Sequence, residues 1–259
     1  MWNSKQLFFL MAMPRSGNTL FGSIINQNPD MGCTANSITL EIMKDLHLLK
    51  QTDVFLNYPD EKSLDNVLDV VFDTYYKDWD YKYIIDRGPV MTPGNLALMQ
   101  KHYKRPFKVI ILLRDLMDVL ASFIKFFENE PTAFPNRYGC KNIEEKLSML
   151  MNKDGGIAKE LEAIKNSYNY PDMCHYIKYD DLVANPEQVI SKLYEFLQIP
   201  YYKHNFKTLT QFKVNGMTYD DNIVGNKMHT IRTEIKREEN PYKQMIPQRI
   251  IDKYGHIKF

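Results

Sequence analysis

Near the start of the chain the sequence reads Phe8-Phe9-Leu10-Met11-Ala12-Met13-Pro14-Arg15-Ser16-Gly17-Asn18-Thr19-Leu20. An apolar run stops at a proline, an arginine, a small hydroxyl residue and a glycine. A second apolar series then resumes at helical spacing. This is the pattern of a strand, a tight loop and a helix N-terminus. Backbone N–H groups converge in such a loop, and the helix end adds partial positive charge, so the segment is suited to hold a phosphate or sulfate group. The strand is expected over residues 6–13. The helix is expected over 18–28, with Leu20, Phe21, Ile24 and Ile25 on one stripe and Asn28-Pro29-Asp30 as its stop.

The loop differs from a Walker A loop, which reads G-x-x-x-x-G-K-[ST] and places its lysine on the outer phosphates and its hydroxyl on Mg²⁺. Here no glycine opens the loop and no lysine precedes Thr19; Arg15 stands earlier, at the turn. The residues suit an anion held by N–H groups, hydroxyls and one guanidinium, with no metal required.

Further along, residues 108–113 (Lys-Val-Ile-Ile-Leu-Leu) form the near-continuous apolar run of a central parallel strand. Arg114 leaves its C-terminal end, where open α/β sheets bind ligands. Asp115 is placed to cap a helix over residues 116–127. Ser122 lies about two turns into that helix at about 3.6 residues per turn, so it and Arg114 can share one phosphate. Read blandly, Arg114 would pair with Asp115 or Asp118 at the surface; its place after the most apolar strand argues for the crevice.

Shorter strands are expected at 83–85, ending in Asp86-Arg87-Gly88-Pro89, and at 174–179, ending in Asp180-Asp181-Leu182. Helical patterns cover 39–50, 63–76, 93–103, 143–151, 157–167 and 187–197, and residues 131–141 read as a loop. Strands alternating with helices imply a parallel sheet with helices on both faces. The expected fold is α/β, a three-layer P-loop-like domain, with one domain over residues 1–259. The polar segment from about 203 to 259 is expected to wrap over the cofactor and substrate site.

Composition narrows the function. With 44% apolar residues in 259 the chain can bury a full core. A net charge of +1 supplies no broad field for nucleic acid or a membrane surface, so neither is expected as a partner. Cys33, Cys140 and Cys174 are odd in number and far apart, and the six histidines are scattered. Neither a disulfide framework nor a metal site is expected, and a reducing, cytoplasmic setting fits. No run is long enough to span a bilayer. Residues 7–13 run straight into Pro-Arg-Ser-Gly with no Ala-x-Ala site, which reads as a strand and not as a signal segment.

Together these segments resemble the sulfotransferases that use 3′-phosphoadenosine 5′-phosphosulfate (PAPS). Pro14-Arg15-Ser16-Gly17-Asn18-Thr19-Leu20 is similar to the family's 5′-phosphosulfate loop. Leu113-Arg114-Asp115 through Ser122 is similar to its 3′-phosphate motif, and Tyr179-Asp180-Asp181-Leu182 to its Tyr-Glu-Asp-Leu. Order and separations match over roughly residues 6–200. The Pro-Arg-Ser-Gly form is most like tyrosylprotein-type and carbohydrate-type members. The resemblance implies transfer of a sulfuryl group from PAPS to a hydroxyl or amine, leaving adenosine 3′,5′-bisphosphate. It implies cofactor contacts from Pro14, Arg15, Ser16, Gly17, Asn18, Thr19, Arg114, Ser122 and Tyr179. Asp86-Arg87-Gly88-Pro89 sits where relatives carry a lysine beside the reacting group, which puts Arg87 with Arg15 among the catalytic cations. Residues 228–237, with Arg232, sit where the family has a cofactor-covering loop.

One departure concerns the base. Tyrosylprotein-type enzymes place an acid shortly after the first helix, and residues 32–37, Gly-Cys-Thr-Ala-Asn-Ser, contain none. Glu41, Asp86 or a histidine are the candidates. Two alternatives remain beside sulfuryl transfer: a P-loop kinase-like phosphotransferase, and a nucleotide-binding sulfotransferase fold without activity. The acceptor is open among small molecules, carbohydrates and peptide tyrosines, and oligomeric state is unread.

Overall fold

An unbroken apolar run in the first strand dictates a sheet covered on both sides. In the computed structural model, β1 (Gln6–Ala12) turns Leu7, Phe9 and Met11 to one core and Phe8, Leu10 and Ala12 to another, as the two-residue period of a strand requires. The structure describes residues 5–130, 133–211, 213–218, 231, 233–236 and 240–259, with the backbone alone at 134 and 137.

Along the chain, β1 is followed by α1 (Asn18–Ile25), β2 (Met31–Cys33), α2 (Thr39–Leu48), α3 (Asp53–Asn57), α4 (Glu61–Asp69), α5 (Val71–Tyr75) and β3 (Tyr83–Arg87). Then come α6 (Pro93–His102), β4 (Val109–Leu113), α7 (Leu116–Asn129), α8 (Phe134–Arg137), α9 (Ile143–Met151) and α10 (Gly156–Ser167). β5 (Cys174–Lys178), α11 (Tyr179–Ala184) and α12 (Pro186–Leu197) complete the alternating part, and the 3-10 turn Pro241–Met245 and the helix Gln248–Tyr254 follow near the C-terminus.

The five strands are parallel in the order β2-β3-β1-β4-β5. One core holds the buried faces of α2, α4, α5, α6, α7, α9 and α10; α1, α11 and α12 pack on the opposite side. This is the three-layer α/β arrangement that the alternation implies, with the P-loop-like strand–loop–helix at its centre.

The structure differs from the sequence reading at a few places. β2 is a strand of only three residues, all buried, too short to carry a readable period. The apolar stripe of residues 63–76 belongs to two helices: Val70, at ψ 3°, separates α4 from α5. The loop at 131–141 contains the short α8, and Tyr179-Asp180-Asp181-Leu182 is itself the first part of α11.

Chain order reverses beside β1. The chain leaves β1 toward β2 and β3 on one side and crosses to β4 on the other, so the C-terminal ends of β1 and β4 flank the switch point where such sheets bind ligands. The loop after β1 and Arg114 after β4 are therefore neighbours because of topology, although 99 positions separate Arg15 from Arg114.

β4 is buried throughout, and Ile111 is 0% exposed between its two strand neighbours. Ile111→Ala is expected to lower the unfolding free energy by about 3 kcal/mol, read as a lower urea midpoint with an unchanged slope.

Candidate functional site

The loop after β1 is shaped by two residues in left-handed backbone conformations, Arg15 at φ 68° and Gly17 at φ 93°. Gly17 is also the N-cap of α1 and offers no side-chain cap, so the N–H groups of the first turn point into the loop with no intrahelical acceptor. Asn18 Nδ2 donates to the Met13 carbonyl at 3.2 Å, and the Ser16 N–H donates to the same carbonyl at 3.2 Å. The Ser16 hydroxyl is buried without a hydrogen-bond partner. Pro14 and Thr19 are half-buried at the two ends of the loop.

The two segments that the sequence suggests for phosphates meet here. Arg15 Nε donates to Ser122 Oγ at 3.1 Å, and Arg114 Nη1 donates to the Arg15 carbonyl at 2.7 Å. The Arg114 guanidinium lies 4.3 Å from the centroid of the Tyr179 ring, and its Nε is buried without a hydrogen-bond partner. The same ring closes on the loop: a Cβ added to Gly17 would stand 2.7 Å from Tyr179 Cδ2. Position 17 therefore needs glycine twice, for its φ and for the ring above it.

Asp115 caps α7, accepting from the N–H groups of Met117 (2.9 Å) and Asp118 (3.2 Å). Its charge, with that of Asp118, is met by Lys243 and Lys258, while Arg114 turns to the loop and the ring.

On the other side of the loop, β3 delivers Asp86 and Arg87. Asp86 is 0% exposed. Its Oδ2 accepts from Ser37 Oγ (2.8 Å), Thr39 Oγ1 (2.7 Å) and the Tyr76 hydroxyl, and burial pushes its carboxyl above the usual carboxylate range. Arg87 donates from Nη1 to the Ala35 carbonyl, and its N–H donates to Thr34 Oγ1 at 2.8 Å. Residues 34–39, which carry hydroxyls where the sequence reading looked for an acid, are thus spent on the two residues that end β3. Glu41, in the first turn of α2, is exposed; its charge acts on Asp86 from outside the network.

The structure thus brings Arg15, Ser16, Gly17, Arg114, Ser122 and Tyr179 into one cradle, with Asp86 and Arg87 at the adjoining strand end. Arg232 and residues 228–230 lie outside the described residues. One residue was missed in sequence: Glu160 of α10, whose Oε2 is buried with no hydrogen-bond partner. Burial pushes its carboxyl up to about 7, against the lowering effect of Arg87. Its signal was available, since Ile157, Glu160, Leu161 and Ile164 form one helical stripe and only Glu160 is polar. Among the described residues no group of three or more His, Cys, Asp or Glu side chains is placed to hold a metal ion.

Asp86→Ala would strip the common acceptor from three buried hydroxyls and is expected to cost about 3 kcal/mol of stability. Asp86→Asn, which keeps an acceptor oxygen, is expected to cost clearly less. Parallel urea titrations of the two variants check this.

Comparison with known proteins places this geometry. The sulfotransferase domain family matches residues 5–245. A protein of Caenorhabditis briggsae named "Putative protein-tyrosine sulfotransferase" is 24% identical over 241 residues, which cover 88% of this chain and 79% of that protein. The sulfotransferase domain from the curacin biosynthetic pathway shares the fold at a TM-score of 0.56 and 18% identity, over 99% of this chain and 92% of that one. A sulfotransferase from Alicyclobacillus acidocaldarius does so at 0.51 and 13% identity, over 97% and 92%. With a family match spanning nearly the whole chain, and the strand–loop–helix at the sheet's switch point that carries it, this protein belongs to the sulfotransferase family.

Proposed function

We propose that the chain transfers a sulfuryl group from PAPS to a hydroxyl or amine acceptor. The observation that carries this reading is the single cradle made by the two phosphate motifs: Arg15 bonded to Ser122, and Arg114 bonded to the Arg15 carbonyl and stacked on Tyr179. An ordinary adenine nucleotide needs one such grip; a nucleotide with phosphates at both 3′ and 5′ positions uses two.

The residues present fit that group. The buried Ser16 hydroxyl and Arg114 Nε lack partners, and polar atoms placed so in a native fold serve a ligand or a water. When bound, PAPS supplies a sulfuryl group on a phosphate leaving group. The N–H groups of residues 16–19 and the hydroxyls of Ser16 and Thr19 meet the 5′ side, with Pro14 setting the entry to the turn and Asn18 bracing it from behind. Arg15 faces the charge that grows on the leaving oxygen, and a preorganised guanidinium is worth most at such a point. Arg114 and Ser122 hold the 3′-phosphate, for which a planar, forked donor is better suited than a lysine. Arg87 supplies the cation on the acceptor side. Asp86 holds Ser37, Thr39 and Tyr76, and so positions Arg87 and α2 beside the reacting group.

The absence of a Walker lysine before Thr19 favours sulfuryl over phosphoryl transfer. The C-terminal segment covers this site in our reading, supported by the ion pairs that carry Lys243 to Asp118 and Lys258 to Asp115 at the start of α7. Because the C. briggsae relative is named for tyrosine in protein, a tyrosyl peptide is the first acceptor to try. The three cysteines are free thiols, in keeping with a reducing, cytoplasmic setting. Among the described residues no helix is long and apolar enough to cross a membrane.

Arg114→Ala removes a charged contact worth about 2–3 kcal/mol and is expected to weaken adenosine 3′,5′-bisphosphate binding about 100-fold. Calorimetry measures this, and an unchanged affinity would show that Arg114 grips no phosphate. Transfer of labelled sulfate from PAPS to a tyrosyl peptide is expected to proceed equally with Mg²⁺ and with EDTA. A requirement for Mg²⁺ would instead favour the kinase-like alternative.

A further inference from the structure

The core-facing stripe of α10 carries one acid, Glu160, a half-buried residue whose Oε2 is closed to solvent. Ile157, Leu161 and Ile164 are buried in the core, and Glu160 completes their i, i+3, i+4, i+7 series. α10 packs against β1. Its last turn is tied to the segment after β3, where Asn166 Nδ2 donates to the Met91 carbonyl at 2.9 Å. This docking sets the Glu160 carboxyl within the field of the Arg87 guanidinium at the end of β3. Glu160 Oε2 is closed to solvent and lacks a hydrogen-bond partner. A buried, unpartnered carboxyl oxygen is costly in a core, and a docked substrate donor would relieve that cost.

We propose that Glu160 is the general base of the reaction, taking the proton from the acceptor's hydroxyl. The inference rests on the sulfuryl-transfer reading above. As the acceptor oxygen forms its bond to sulfur, the bond between sulfur and the 5′-phosphate oxygen breaks, and its electron pair leaves with adenosine 3′,5′-bisphosphate. The acceptor's proton passes to the Glu160 carboxylate and is returned to water after product leaves. Arg87 is the charged group that acts on Glu160 among the described residues, and it favours the carboxylate. A carboxyl brought by burial to about 7 is matched to proton transfer near neutral pH.

Several of the other candidates are tied to the protein. Asp86 Oδ2 already accepts from three hydroxyls that fix the carboxyl inside the fold, while its Oδ1 is buried without a partner, and Glu41 is exposed on α2. His102 is bound to Asp69, His204 to Tyr194, and His175 stacks on Phe196. His229 lies outside the described residues.

The test compares wild type, Glu160→Gln and Glu160→Asp in three measurements. Calorimetric titration with adenosine 3′,5′-bisphosphate is expected to give equal affinities for all three, which also shows that the variants fold. Infrared difference spectra across pH are expected to show a protonated-carboxyl band that titrates near 7 in wild type and is missing in Glu160→Gln. Transfer from labelled PAPS to a tyrosyl peptide, a simple phenol and an oligosaccharide is expected to fall at least about 100-fold in kcat for Glu160→Gln. The rise of rate with pH through about 7 should vanish with it, and Glu160→Asp should restore part of both. Wild-type turnover in Glu160→Gln, a pH rise that survives the substitution, or wild type that binds the bisphosphate yet sulfates none of the three acceptors would each overturn the assignment of Glu160. Failure of wild type to bind the bisphosphate would overturn the sulfuryl-transfer reading itself, and the base with it.

Discussion

The ring of Tyr179 touches both Gly17 and Arg114, and the arrangement of the site depends on these contacts. The ring packs so close to Gly17 that no side chain fits there. The same ring carries the Arg114 guanidinium at 4.3 Å from its centroid. A flat aromatic face attracts a cation and excludes water from it, which stiffens a long side chain at low entropic cost. So braced, Arg114 can hold the carbonyl of Arg15 and stabilise the left-handed turn that points the loop's N–H groups inward. The residues come from the ends of β1, β4 and β5, and parallel pairing places those three ends side by side.

The end of β3 obeys a different constraint. Asp86 brings a carboxyl into a fully buried position, and such a group persists only where donors surround it. Ser37 supplies one from the turn before α2, Thr39 one from its first residue, and Tyr76 one from the residue that follows α5. The network ties β3 to the helices that cover it: the strand supplies the carboxyl, and Ser37, Thr39 and Tyr76 supply the hydroxyls. Glu160 forms a contrast, because its Oε2 receives no donor. Asp86 has one oxygen held by three hydroxyls and the other without a partner, whereas Glu160 Oε2 has no donor from the protein.

Much of this was legible from local pattern. The strands β1 and β4 alternate or run apolar over enough residues to be read, and the Pro-Arg-Ser-Gly turn and the Asp115 cap are local devices whose chemistry lies within a few residues. β2 was not legible, since three residues carry no period. The break at Val70 was hidden because α4 and α5 share one apolar stripe, and backbone geometry at a single residue leaves no mark in such a stripe. Glu160 carried a signal, a lone acid on a buried face, but a helical stripe alone does not say which core it enters.

The sequence by itself determined the alternation of strands and helices, the strand–loop–helix turn after β1, and the spacing of Arg114 and Ser122 on the strand end and helix that follow. Those are properties of short segments, set by backbone conformation and side-chain type. Only the tertiary structure decided that Arg15 reaches Ser122, that Tyr179 closes over Gly17, and that Glu160 and Arg87 act on one another. Each of these joins residues far apart in sequence, and their proximity follows from strand order and helix docking, which depend on how the whole sheet buries its two faces.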